Sequence, residues 1–390
     1  MAAISGVQRG SATIGNGNST TTVTITSVDL TKSILLFNYS MVTSLTPASD
    51  TVRGQLTAGN QITFHREGTE NAVSIRWEVI TFSSGVTVQR GTSSFGLFID
   101  NTNVTIGAVD LSKAVAIHSV SQFGNTADYD DLSRISLTSP TNLRISIPNT
   151  NTGVAKTCDW QVIEFADANV QSGSYAMNSS TTSVPITLSE PIDTTKTVVF
   201  NSYMTNNGAG YVPNRHAVRS LLTNSNTVTF ERNVTGGTSI AGAYFVVTFT
   251  DATTVRYGTA AISLTNSGIN ITLNPAVDLD RSVVYAGVNG TILSGNSTSQ
   301  AMAYPLHQTY LASENTLTAT RSNTGNSNLL TYYVMEFPAA TGTSATVDVS
   351  GVSASGSVGS VTSNIVNPPT ALNALHKGSG TIDAFSDTLV

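Results

Sequence analysis

Apolar and polar side chains alternate along this chain in short runs bounded by Gly, Asn, Asp, Ser and Pro, and the runs recur in a fixed order. The clearest of them is written four times: Ile75 to Phe82, Cys158 to Phe165, Gly242 to Phe249 and Leu330 to Phe337. Each copy fixes an aromatic (Trp77, Trp160, Tyr244, Tyr332), a valine two residues on (Val79, Val162, Val246, Val334) and a closing phenylalanine (Phe82, Phe165, Phe249, Phe337). Successive side chains of a strand point to opposite faces. The aromatic and the valine therefore share one face, and Ile80 or its equivalent shares the other with the phenylalanine. A strand apolar on both faces is covered on both. One face belongs to the core of its own repeat; a neighbouring repeat, a loop or a partner chain covers the other.

The rest of each unit is equally regular. A Val-Gln-Arg-Gly phrase opens the first two copies at Val7 and Val88, and becomes Val170-Gln171-Ser172-Gly173 and Val255-Arg256-Tyr257-Gly258. Its glycine reads as a bulge or a positive-φ turn at the end of a short strand. A Thr/Val alternation follows, then an acid three residues before a base: Asp29 and Lys32, Asp110 and Lys113, Asp193 and Lys196, Asp278 and Arg281. Aspartate at the first position of a turn bonds back to the backbone, so this is a recurring corner closed by an exposed salt pair. Next come a leucine strand (Leu56, Leu137, Leu222, Leu311) and, ten residues beyond the leucine, Arg66, Arg232 and Arg321; Ile147 takes that place in the second copy.

This pattern predicts an all-β chain of four tandem antiparallel β-sandwich repeats of about 80 residues, each with roughly six to eight strands. The predicted boundaries are 1–84, 85–167, 168–251 and 252–338. Residues 339–390 are rich in Gly, Ser, Ala and Thr, too poor in apolar groups to fold alone. They are expected to be an extended C-terminal assembly arm that adds strands to another chain's sheet edge. Four units in a row would make a rod.

Charged residues are 11% of the chain and the net charge is −6, without the basic face of a nucleic-acid binder. The start of the sequence shows no signal-peptide pattern, and no window approaches the roughly 20 apolar residues of a membrane span. Cys158 lies in the core-strand register and reads as a small buried apolar group. His65, His118, His216, His307 and His376 have no metal-ligand spacing. Asp128, Asp130 and Asp131 form a loop cluster that reads as solvated, and Glu164, Asp167 and Glu336 lie at or just after signature strands. No catalytic residue, metal ligand or cofactor is assigned. The residues singled out are the eight repeat anchors, the four aromatics and four phenylalanines above. Trp77 and Trp160 carry two readings, a core side chain or a platform for sugars.

Tandem β-units of this size, with Val-Gln-x-Gly openings and closing strands such as Trp160-Gln161-Val162-Ile163-Glu164-Phe165, resemble virion structural proteins of tailed bacteriophages, including tail-fibre and surface proteins. The phrase from Gly351 to Val361 is similar to Gly-Val-Ser-Ala-x-Gly runs in structural proteins of phages from aquatic bacteria. The unit's outline also resembles H-type lectin repeats, small β-sandwiches that trimerise and bind sugars. The resemblance covers Val7 to Phe337 and part of the tail, and no binding residue carries over. It implies a non-enzymatic virion component, in the tail or a fibre, anchored through a terminal arm. Other virion proteins are the expected partners, with a host surface glycan as a further one and no nucleic acid. A homotrimer is expected from the second apolar face of the signature strand. The alternatives are a carbohydrate-binding adhesin or receptor-binding protein, a capsid decoration protein, and a depolymerase of surface polysaccharide.

Overall fold

The computed structural model describes residues 2–41, 51–96, 99–122, 132–147, 155–206, 213–236, 239–263, 265–286, 306–322, 324 and 327–339. The chain is all-β, built from eight three-stranded antiparallel sheets that combine in pairs. The first unit holds β1 (Ala3–Ile14), β2 (Thr20–Thr24), β3 (Ser33–Met41), β4 (Arg53–Ala58), β5 (Gln61–His65) and β6 (Val73–Ser84). The second holds β7 (Val86–Phe95), β8 (Asn101–Thr105), β9 (Ala114–Gln122), β10 (Arg134–Ser139), β11 (Asn142–Ser146) and β12 (Lys156–Phe165). In the third are β13 (Ala168–Met177), β14 (Ser183–Thr187), β15 (Thr197–Asn206), β16 (Arg219–Asn224), β17 (Thr227–Glu231) and β18 (Ser239–Phe249). The fourth has β19 (Thr254–Ile262), β20 (Gly268–Thr272), β21 (Ser282–Ala286), β22 (Gln308–Ser313), β23 (Thr316–Thr320) and β24 (Asn328–Glu336).

Every unit repeats one topology. Its first, sixth and third strands form one sheet with the signature strand in the middle, and its second, fifth and fourth form the other. Within the first unit Ile75, Trp77 and Val79 of β6 point between the two sheets and meet Ile62 and Phe64 of β5. Ile80 and Phe82, on the opposite face, join an apolar cluster shared with the other three units. The strand's two apolar faces are thus covered inside one chain.

Four tandem units do not make a rod. The second unit docks on the first, where Arg90 donates to the Ser33 carbonyl at 2.5 Å and to that of Leu30. Unit three meets unit two through the Val170 amide and the Ser112 carbonyl, 2.7 Å apart. The same contact recurs between four and three, with the Val255 amide donating to the Thr195 carbonyl at 2.6 Å. The first unit then closes on the fourth: Arg9 donates to the carbonyls of Leu279 and Ser282 at 2.6 and 2.8 Å, and the Ile4 amide to Pro338 at 3.3 Å. The units therefore form a ring with approximate fourfold internal symmetry.

At its centre stand the four closing phenylalanines, each at most 3% exposed. Ring centroids lie 6.3 Å apart for Phe82 and Phe165, 5.4 Å for Phe165 and Phe249, 5.5 Å for Phe249 and Phe337, and 5.0 Å for Phe337 and Phe82. Interplanar angles run from 82° to 89°. Each edge meets the next ring's face, the arrangement the aromatic quadrupole favours, worth about 0.5–1.5 kcal/mol per pair beyond the area buried.

The recurrent glycine is neither bulge nor turn. Gly10, Gly91, Gly173 and Gly258 lie mid-strand, paired directly with Trp77, Trp160, Tyr244 and Tyr332. A Cβ on any of them would fall 2.3–2.6 Å from that ring. Glycine is required because the aromatic side chain lies across the neighbouring strand.

The corner is set as its aspartate suggests, with Asp29, Asp110, Asp193 and Asp278 accepting from the amide two residues on. In the first three the hydroxyls of Thr31, Ser112 and Thr195, and after them those amide bonds, hold the carboxyls below the usual carboxylate range. In Asp278 the largest influence is the Arg281 side chain. The expected salt pair is a feature of the fourth copy alone, Arg281 to Asp278 at 2.8 Å. Lys32, Lys113 and Lys196 instead donate to the carbonyls of Ser83, Ala166 and Asp251, just past the signature strand.

Candidate functional site

Along the signature strand, the side chains facing the ring's interior change layer by layer. After the phenylalanines come Ile80, Ile163, Val247 and Met335, then Glu78, Gln161, Phe245 and Tyr333, then Arg76, Asp159, Ala243 and Thr331. The first layer is uniform and the last shares nothing. At this divergent end the units line an open cavity of about 490 Å³, to which all four third strands contribute through Leu36, Ile117, Phe200 and Tyr285.

Polar groups on its wall fall into two sets. One set binds unit to unit. Gln161 donates to the Leu35 carbonyl at 2.8 Å and accepts from the Leu35 amide at 3.0 Å, satisfying the open edge of β3. Glu78 accepts from the Val284 amide at 2.7 Å on the edge of β21. Asn38 pairs with both backbone groups of Thr309 at 2.9 Å, and the Gly54 amide donates to Ser119 at 3.1 Å. Such bonds cap sheet edges that would otherwise invite another chain.

The second set carries charge. Glu78 is buried, which raises its pKa against the bond from Val284 and the Arg9 guanidinium 3.4 Å away. Asp159 pairs with Arg53 at 3.1 Å and accepts from Thr92 at 2.6 Å. His118, 2.6 Å from the Ser133 hydroxyl, is pushed down to about 4 by desolvation and is neutral at pH 7. Arg76 is half-buried, with its guanidinium 4.1 Å from the centre of the Tyr310 ring.

Of the residues singled out in the sequence, the structure brings the four phenylalanines together and keeps the four aromatics apart, each in its own unit. Trp77 and Trp160 are 7% and 8% exposed, and Tyr244 and Tyr332 are half-buried. These rings lie on glycines and are not free platforms, although Trp77 also borders the cavity. Arg66, Arg232 and Arg321 are 0%, 4% and 4% exposed. Their guanidinium groups donate to carbonyls of the loop after the first strand, among them Gly15 and Asn18, Asn178 and Thr181, and Ser263 and Asn266. In the second unit the buried Ile147 stands there, its amide on the Asp100 carbonyl.

Glu164 and Glu336 accept from the amides of Asp110 and Asp278 in their own units. Cys158 is fully buried, and burial raises its thiol well above the ordinary range. Asp128, Asp130, Asp131, His376 and residues 340–390 lie outside the described residues. Among the described residues no three His, Cys, Asp or Glu side chains are grouped to hold a metal ion, and no helix is long and apolar enough to cross a membrane.

The sequence signals missed the cavity because its residues do not recur. Arg76 sits where the other copies have Asp159, Ala243 and Thr331, and the departure from the repeat is itself the available signal. No protein-family model matches the chain, and no curated protein matches it.

Proposed function

We propose that the protein is a non-enzymatic structural component of a bacteriophage virion, a tail or fibre protein whose four-unit ring is joined to the particle through residues 339–390. The observation that carries the non-enzymatic part is the use of the repeated polar side chains. Corner aspartates, corner bases and buried arginines all bond to backbone of the same chain. Gln8, Gln89 and Gln171 do the same, each clamping the backbone of a residue some eighteen positions on. Chemistry repeated four times is here the chemistry of folding. The virion setting is supported by the likeness of the repeats and of Gly351 to Val361 to phage structural proteins, and by a weakly charged surface rich in hydroxyl groups.

Ring closure changes the kind of part this would be. A ring adds little length, so within a tail it suits a terminal or decorating body better than a shaft, and capsid decoration fits on the same ground. The expected trimer loses its main support, because the apolar strand faces that called for a partner are covered inside the chain.

Purified particles test the proposal. Quantitative mass spectrometry and antibody labelling are expected to find the protein at a fixed copy number in one place. Deleting residues 341–390 should leave the ring folded with nearly unchanged melting and abolish incorporation. Absence from the particle, or turnover of host polysaccharide by the pure protein, would overturn the reading. A second reading, a carbohydrate-binding adhesin or receptor-binding protein, is favoured by one observation, the cavity at the divergent end of the ring.

A further inference from the structure

The charged groups at the cavity wall are matched to one another with one exception. Glu78 has Arg9 and Asp159 has Arg53, whereas no carboxylate among the described residues pairs with Arg76. Its guanidinium is fixed by stacking on Tyr310 and by its place on β6, between Ser11 of β1 and Asn38 of β3. A guanidinium seated over an aromatic ring keeps N–H groups for paired bonds with a planar anion. The repeat does not need this cation, since the other copies have an acid, an alanine and a threonine at the same place.

Tyr39, Tyr285 and Tyr310 border the same space and keep part of their surface exposed. The volume falls within the range of small-ligand sites, roughly 300–1,000 Å³.

We propose that this cavity binds a carboxylate-bearing sugar unit, with the carboxylate on Arg76 and the sugar ring against Tyr310. A planar carboxylate matches the guanidinium edge, and aromatic rings cover the apolar face of a sugar. The inference deepens the carbohydrate-binding reading and is independent of the virion assignment, because the pure protein tests it.

The experiment titrates the full chain, by calorimetry, with galacturonate and glucuronate oligosaccharides and a sialylated lactose. The neutral counterparts of each and inorganic phosphate are run beside them. Saturable binding of at least one acidic sugar at one site per chain is expected, with its neutral counterpart weaker by about tenfold or more. Arg76→Gln should weaken the acidic sugar to the level of the neutral one, and Arg76→Lys, which keeps the charge and loses the paired geometry, should fall between. Circular dichroism checks that both variants fold; if Arg76→Gln does not, Arg76→Lys and Tyr310→Leu carry the test. The inference is overturned if no acidic sugar binds, if neutral and acidic sugars bind alike, if phosphate binds as tightly as the sugar, or if folded variants bind unchanged.

Discussion

The two ends of the signature strand were built from the same four-fold repeat and have been used in opposite ways. At one end four phenylalanines occupy equivalent places and close a ring of edge-to-face contacts. Six residues earlier on the same four strands stand an arginine, an aspartate, an alanine and a threonine. Where four copies converge on an axis, one ring shape satisfies all four neighbours, and any departure is felt by two of them. Where the strands leave room between them, the contacts between units are made by individual pairs, Arg53 with Asp159 and Arg76 with Tyr310, and no single side chain has to suit all four. Uniformity marks the end that holds the ring together, and divergence marks the end free to acquire a particular chemistry.

That contrast can be broken by substitution. Phe337→Ala removes a ring from the closed set, and a loss of about 3–5 kcal/mol is expected in urea unfolding. A cost below about 1 kcal/mol would show that the phenylalanines fill space without clasping the units. In the intermediate layer, Gln161→Leu leaves both backbone groups of Leu35 without their partner, for about 1–3 kcal/mol. The loss should be confined to the contact between the first two units, which hydrogen exchange at the Leu35 amide reports directly.

Acid separates the ends further, because the phenylalanine layer has no titratable group. His118 is held near 4 against an ordinary 6.5, so the unfolded chain takes up its proton first. Its contribution is complete above about pH 6.5 and is lost as the pH falls through 4. Glu78, raised by burial, has the opposite sign: its contribution is full below the unfolded carboxylate value and is lost as the pH rises through its own. His118→Gln should therefore flatten the acid limb of the melting curve by roughly 1–2 kcal/mol between pH 6.5 and 4. Unchanged pH dependence in the variant would remove His118 from the account. The smallest effect belongs to the outermost layer: Arg76→Gln should change stability by no more than about 0.5 kcal/mol. A large loss there would make Arg76 part of the scaffold.

Much of the architecture was legible in the pattern of residues. Alternation gave the strands, recurrence gave the units, and the aspartate gave the corner. What the pattern could not specify was which surface meets the second apolar face of β6, since Ile80 and Phe82 would look the same against another chain as against Phe165 and Phe337. The role of Gly10 is hidden in the sequence for a related reason. Local rules read glycine as a break, and its cause is Trp77, far along the chain and directly opposite it in the sheet. Lys32 reads as half of an exposed salt pair, and Arg66 as a recurrent strand-end residue with no stated role, because their backbone acceptors leave no mark in sequence. The cavity was the least legible of all, as Arg76, Tyr310 and Thr309 come from units at opposite ends of the chain.

The seam between the first and fourth units bears on how the molecule is made. Arg9 reaches Leu279 across 270 residues and Asn38 reaches Thr309 across 271, while the other three junctions join units that follow one another off the ribosome. Units one to three can dock as they emerge, but the axial face of the first stays uncovered until the fourth has been synthesised. For that interval the nascent chain displays an incomplete phenylalanine ring, apolar and exposed, of the kind that chaperones and neighbouring nascent chains engage. A ribosome stalled before residue 252 would leave that face permanently bare.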